Sequence, residues 1–158
     1  APDELKKRVD MQSLLNQVLA NLGPSISQNH ATITADPLPE VDGYDIQLIQ
    51  VLQNLIGNAL KFRKKEHPPV IHISAERHKQ EWQFGVRDNG IGIAPGHDEE
   101  IFEIFQRLHS RKEYPGTGIG LSVCMKIIEH HGGRIWYESR IGEGTTFYFT
   151  LPLQTACP

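Results

Sequence analysis

The sequence predicts an α+β fold, with helices packed on one face of a mostly antiparallel sheet. Three observations carry that expectation. Helical and strand-like segments follow one another in an order that is not a regular βαβ repeat. Two pairs of runs, "VIHISAER" with "WQFGVRD" and "RIWYES" with "TTFYFTLP", lie close enough in sequence to form hairpins. A chain of 158 residues is long enough for one domain with a real core.

The elements follow in chain order. Met11, Leu14, Leu15, Val18, Leu19 and Leu22 repeat at helical spacing, and Gly23-Pro24 is expected to end that helix. "ATITADPLPEVDG" reads as a short strand and a Pro-rich loop. Asp42 or Asp45 can cap the next helix, which runs from about Asp45 to Lys64 and buries Ile49, Leu52, Ile56, Ala59 and Leu60. Pro68-Pro69 break it, and the first hairpin follows. "DNGIGIAPG" is a loop, "HDEEIFEIFQRL" a short helix, and "HSRKEYPGTGIG" a polar, then Gly-rich loop. A helix over Leu121–His131 is stopped by Gly132-Gly133, and the last two strands flank the turn "RIGEG".

Composition excludes several classes. A formal charge of −3 does not mark a general nucleic-acid binder. No apolar run approaches the ~20 residues needed to span a bilayer. The charged start "APDELKKRVD" is no signal peptide, and without an initiator Met it reads as a piece of a longer protein. Residues 1–8 are expected to be a linker or the remnant of a preceding helix, 9–153 the domain, and 154–158 a tail. Cys124 and Cys157 pair with no other Cys or His at metal spacing, which suits thiols in a reducing cytoplasm.

Four stretches carry candidate chemistry. In "NLIGNALKF", at ~100° per residue, Asn58 lies about 40° from Asn54 and Lys61 about 20° the other way. The three form one stripe, expected opposite the apolar face. It is either the wet side of an amphipathic helix or a polyphosphate site, with an amide oxygen for Mg²⁺ and an ammonium for phosphate. "DNGIG" follows a strand. It is either a turn or a site in which Asp88 accepts an exocyclic amine while Gly90 and Gly92 allow close approach. "GTGIGL" precedes a helix and is either a flexible loop or a set of N–H groups for an anion. It matches neither GxGxxG nor a P-loop. Phe102 and Phe105 anchor a loop with Arg107, His109, Arg111 and Lys112, read as a lid over phosphates or as a solvated charge run.

Taken together in order, "NLIGNALKF", "DNGIG", "IFEIF", "GTGIGL" and "GEGTTF" resemble the N box, first glycine box, F box, second glycine box and last glycine box of sensor histidine kinases. The likeness covers Val9 to Leu153, and "IFQRLHSRKEYPGTGIGL" is most similar to the phytochrome-related type. The resemblance implies an α/β sandwich with a mixed five-stranded sheet and about three helices, binding ATP (or ADP) with Mg²⁺. It assigns Asn58 to the metal, Asn54 to the turn before it, Lys61 to phosphate and Phe62 to the side of the adenine. Asp88 would read the base beside Gly90, Gly92 and Ile93. Phe105 belongs to the F box, and Arg107 would reach the γ-phosphate. Gly116, Thr117, Gly118, Ile119, Gly120 and Leu121 would line the phosphates, and Thr146 would stand near the base. Asn54, Lys61 and Arg107 form the implied catalytic set.

The resemblance also implies partners. These are a separate dimerisation and phosphoacceptor histidine domain and a response regulator, with no nucleic acid and no direct membrane contact. A cytoplasmic, monomeric fragment of a homodimeric parent is expected. His97 in "HDEE" lacks the helical hairpin that surrounds a phosphoacceptor in the family. Gyrase-type and chaperone ATPases of this fold carry a general-base glutamate where this chain has Asn54. An amide takes no proton at neutral pH, which favours transfer to a protein over hydrolysis. A regulatory nucleotide-binding module, a hydrolytic ATPase and a serine kinase are the alternatives.

Overall fold

The computed structural model describes residues 6–93 and 120–153. Strand β1 (Lys7–Asp10) leads directly into helix α1 (Met11–Asn21). Asp10 caps that helix, its carboxylate accepting the N–H groups of Gln12 and Ser13 at 3.0 and 3.3 Å. Met11, Leu14, Leu15 and Val18 form the buried stripe. Gly23-Pro24 do more than end α1. They open a second short helix, α2 (Gly23–Gln28), with Pro in the first turn, where its missing N–H is no loss.

Strand β2 (Thr32–Ala35) and strand β3 (Glu40–Gly43) come next. β3 pairs antiparallel with β1 in a small separate sheet, with Val9 opposite Val41 and both buried. Lys7 and Arg8 therefore lie in a strand, within the stretch expected to be linker or helix remnant.

Helix α3 (Asp45–Lys61) is capped by neither aspartate proposed for it. Asp42 sits in β3, facing Arg8 at 3.4 Å, and Asp45 is already helical and pairs with Lys7 at 3.0 Å. The residue before the helix is Tyr44, whose N–H donates to His131 Nε2 at 3.1 Å. The helix stops at Lys61, short of Lys64, because Phe62 leaves the helical conformation. Arg63 then turns its guanidinium to Asn29 Oδ1 (2.9 Å) and to the Lys64 carbonyl (3.2 Å), tying the following loop to the end of α2.

The remaining elements are β4 (Val70–His78), β5 (Glu81–Arg87), α4 (Gly120–His130), β6 (Ile135–Arg140) and β7 (Gly144–Pro152). They complete a five-stranded sheet in the order β2-β4-β5-β7-β6. Only β2 and β4 run parallel; the other neighbours are antiparallel, so the sheet is mixed as expected. Ile71, Ile73, Phe84, Val86, Phe147, Phe149 and Leu151 share a core with the buried faces of α1, α3 and α4. Phe84 and Phe149 stack at 5.0 Å in its centre. The connection from β2 to the parallel β4 includes α3, which packs against α1 and α4. This crossover delivers the C-terminus of α3 beside the loop after β5, where the Phe62 carbonyl accepts the Ile91 N–H at 3.0 Å. Among the described residues no helix is long and apolar enough to cross a membrane.

Candidate functional site

A cavity of about 130 Å³ opens at this junction. One water needs only ~10–15 Å³, so the space suits a ligand rather than a single solvent molecule. Its walls come from α3 (Leu55, Asn58, Ala59), from Phe62, from the loop after β5 (Asp88, Ile91, Gly92, Ile93), from Leu121 of α4, and from Thr145 and Phe147 of β7. Most of the lining is apolar, with Asp88, Asn58 and Thr145 as its polar side chains, the composition of a small-molecule site.

Asp88 is held by its own loop and by the neighbouring strand. Its Oδ1 accepts the Gly90 N–H at 2.8 Å and the Thr145 N–H at 3.1 Å. Oδ2 has no hydrogen-bond partner among the described residues. Burial pushes the carboxyl above the usual aspartate range, and the two N–H groups oppose that shift. The loop can pass this close because of its glycines. A side chain at Gly90 would run into the Phe62 carbonyl. Gly92 adopts φ +80°, a left-handed conformation that other residues rarely take. The Ile91 carbonyl accepts the Gly142 N–H (2.8 Å), so the loop is fixed to α3 on one side and to the β6–β7 turn on the other.

The stripe on α3 lies differently from the expectation. Asn58 is 8% exposed and stands on the cavity wall, so the stripe runs along an edge of the buried arc rather than opposite it. Asn58 Nδ2 is sealed from solvent with no hydrogen-bond partner among the described residues. Asn54, a turn earlier, faces α4 and bonds the Cys124 thiol, whose proton is also directed at the Val51 carbonyl. Burial pushes that thiol up to about 12, so Cys124 stays protonated. Lys61 is half-buried, and desolvation lowers its pKa. Neither Asn54 nor Lys61 lines the cavity.

Phe62, Asp88, Gly92, Ile93 and Leu121 are thus brought together with Asn58, and Gly90 backs the loop. Thr146 needs correction. It does not line the cavity and stands in a groove with His72, Arg87 and Glu138, whereas Thr145 lines both that groove and the cavity. Strand parity could have revealed this, since Thr145 shares a face with Phe147, Phe149 and Leu151. Leu55 and Ala59 were likewise missed as lining; they stand on α3 beside Asn58. Phe105, Arg107, Gly116, Thr117, Gly118 and Ile119, with His97, lie outside the described residues. Gly120 is the first residue of α4.

The family model described as histidine kinase-, DNA gyrase B- and HSP90-like ATPase matches residues 43–155. The chain is 57% identical over 144 residues to cyanobacterial phytochrome A of Nostoc sp., a match covering 91% of this chain and 19% of that protein. It is 38% identical to the adaptive-response sensory kinase SasA of Synechocystis sp., over 89% of this chain and 37% of that one. Among solved structures, the catalytic domain of histidine kinase ThkA matches with a TM-score of 0.79 at 28% identity, covering 94% of this chain and 95% of that one. Full-length ShkA, solved in complex with AMPPNP, matches with a TM-score of 0.80 at 28% identity, covering 99% of this chain and 33% of that one. The chain spans 19% of the length of the cyanobacterial phytochromes it matches. The family model matches more than half of the chain, and the motif residues Asn58, Phe62, Asp88 and Gly92 meet at the cavity: this chain belongs to the histidine kinase-, DNA gyrase B- and HSP90-like ATPase family, with sensor histidine kinases among its relatives.

Proposed function

We propose that the domain binds Mg-ATP in this cavity and donates the γ-phosphate to a histidine on a separate dimerisation and phosphoacceptor domain, for onward transfer to a response regulator. The observation that carries the base-binding half is Asp88. One carboxylate oxygen is occupied by two backbone N–H groups, and the other is left for the exocyclic amine of adenine. Phe62, Ile91 and Ile93 supply apolar surface for the ring.

Asn58 fits a magnesium ligand. Its amide oxygen is a hard neutral donor, and no described group competes for the side chain. Asn58 would hold the magnesium ion, which would supply positive charge to offset the charge that develops during transfer. The chain's own contribution is positioning: Asp88 orients the base, and α3 presents Asn58 toward the phosphate end. Lys61, at the last turn of α3, and Arg107 are assigned to the phosphates on the strength of the family motif. Asn54 replaces the residue that would activate water, and its side chain bonds Cys124. Both points favour a protein acceptor over hydrolysis.

The relatives support the same partners, since ThkA was solved in complex with the response regulator TrrA. The test adds this chain and Mg-ATP to the acceptor hairpin of the parent protein. Acid-labile phosphohistidine on the hairpin is expected. ATP binding with no phosphohistidine would reduce the domain to a nucleotide-sensing module, and acid-stable phosphoprotein would make it a serine kinase.

A further inference from the structure

Ser139 stands on β6, on the same face of the sheet as the cavity, yet it does not line the cavity. Three groups meet its hydroxyl. The Ile93 N–H donates to Oγ at 2.7 Å, Oγ donates to the Gly144 carbonyl at 2.9 Å, and the Thr145 hydroxyl lies 2.7 Å away. A serine hydroxyl has one proton and two lone pairs. The Ile93 amide can only donate, so it occupies a lone pair. The Gly144 carbonyl can only accept, so it takes the proton. The Thr145 contact must then use the second lone pair, with Thr145 as donor. With its proton committed to Ser139, the Thr145 hydroxyl can only accept from a molecule in the cavity.

The same logic applies to the neighbouring wall. Asp88 Oδ1 is filled by the N–H groups of Gly90 and Thr145, which leaves Oδ2 as a pure acceptor. Asp88 and Thr145 are adjacent through that second bond, and both line the cavity. Their combined face offers acceptors and no side-chain donor.

We infer that Ser139 is a specificity-positioning residue. By fixing the direction of the Thr145 hydroxyl, it keeps this side of the cavity acceptor-only and so favours a base with an exocyclic amine over one with a carbonyl in that place. It also ties Ile93, at the end of the glycine loop, to the β6–β7 hairpin, so that both acceptors keep one relative position. The inference rests on the cavity being a nucleobase site.

The experiment compares ATP with inosine triphosphate, the 6-oxo analogue, by calorimetric titration on the intact chain in the presence of magnesium. The unmodified chain should prefer ATP. In Ser139→Ala the Thr145 hydroxyl regains its proton for the ligand, and the preference should shrink by about fivefold, the worth of one neutral hydrogen bond. Ser139→Thr, which keeps a hydroxyl, should restore it. A merely structural role would weaken both nucleotides together and leave their ratio unchanged, and a ratio within about twofold of the unmodified chain overturns the inference. Should Ser139→Ala fail to fold, Thr145→Val decides instead. It removes the acceptor while leaving Ser139 in place, so ATP should weaken by about fivefold with little change for the 6-oxo nucleotide. Equal losses overturn the inference. If the unmodified chain binds neither nucleotide, the base-site reading itself falls, which is a different result from an unchanged ratio.

Discussion

Replacing Asp88 with asparagine should separate recognition from folding. In the native domain Oδ1 accepts two N–H groups, from Gly90 at 2.8 Å and from Thr145 at 3.1 Å. In Asp88→Asn the amide oxygen must take that place, because the NH₂ group cannot accept. The NH₂ is thereby locked where Oδ2 was, and a donor faces the donor of the adenine amine. Losing a hydrogen bond to a charged group removes about 1.5–3 kcal/mol, and burying the facing donors unpaired adds about 1–3 kcal/mol. A combined loss of about 2.5–6 kcal/mol corresponds to a fall in ATP affinity of roughly 10² to 10⁴-fold. Stability should respond in the opposite sense. Burial disfavours the Asp88 carboxylate, so the neutral amide relieves a desolvation penalty and the melting temperature should not drop. Calorimetric titration with Mg-ATP, run beside a thermal melt, reads both quantities. The reasoning is refuted if the variant binds ATP within about threefold of wild type. It is equally refuted if binding disappears only because the domain no longer melts cooperatively.

Two further outcomes are expected. Asn58→Ala should lower the ratio of ATP affinities measured with and without magnesium while leaving stability nearly unchanged, since the buried Nδ2 makes no hydrogen bond to a described residue; an unaltered ratio would take Asn58 off the metal. His131 donates from Nδ1 to the Ile127 carbonyl (2.8 Å) and accepts the Tyr44 N–H at Nε2 (3.1 Å), so its ring is held neutral, and burial lowers its pKa from the ordinary 6.5. Just below that value the unfolded chain binds a proton that the folded chain does not, so stability present above 6.5 is lost as the pH falls. The melting temperature should fall between about pH 7.5 and about pH 5.5, less steeply in His131→Gln, and equal slopes would clear His131 of that role.

The long elements were legible because their periodicity is set by burial. Helix α3 and the strands β4, β5 and β7 all carry apolar residues at the spacing of the buried face. The small β1–β3 sheet was not legible. Each strand has four residues and a single valine at its centre, too little for a period to appear. The second helix was hidden by Gly23-Pro24, which serve an N-terminus as well as they serve a break. The motif residues Asn58, Phe62, Asp88 and Gly92 were found at the cavity because local chemistry singles them out. The one-residue error at Thr146 arose because two threonines stand side by side, and only the pleat of β7 tells which one faces inward. The stripe on α3 was misjudged because its inner edge abuts a cavity rather than packed core, so a polar residue can be buried there.

The position of β7 has a consequence for biosynthesis. Among the described residues it is the last strand in sequence, yet it is inserted between β5 and β6. A chain emerging from the ribosome must therefore complete Gly144–Pro152 before β5 can pair on that side. Until then Phe84 and Val86 lack their strand partners Phe149 and Phe147, leaving an unpaired apolar edge of the kind that invites association with other chains. Thr145, which helps to hold Asp88, also arrives only with this strand. The base site proposed around Asp88 would thus be unfinished on the nascent domain, and a bound nucleotide would stabilise the product of folding without assisting its early steps.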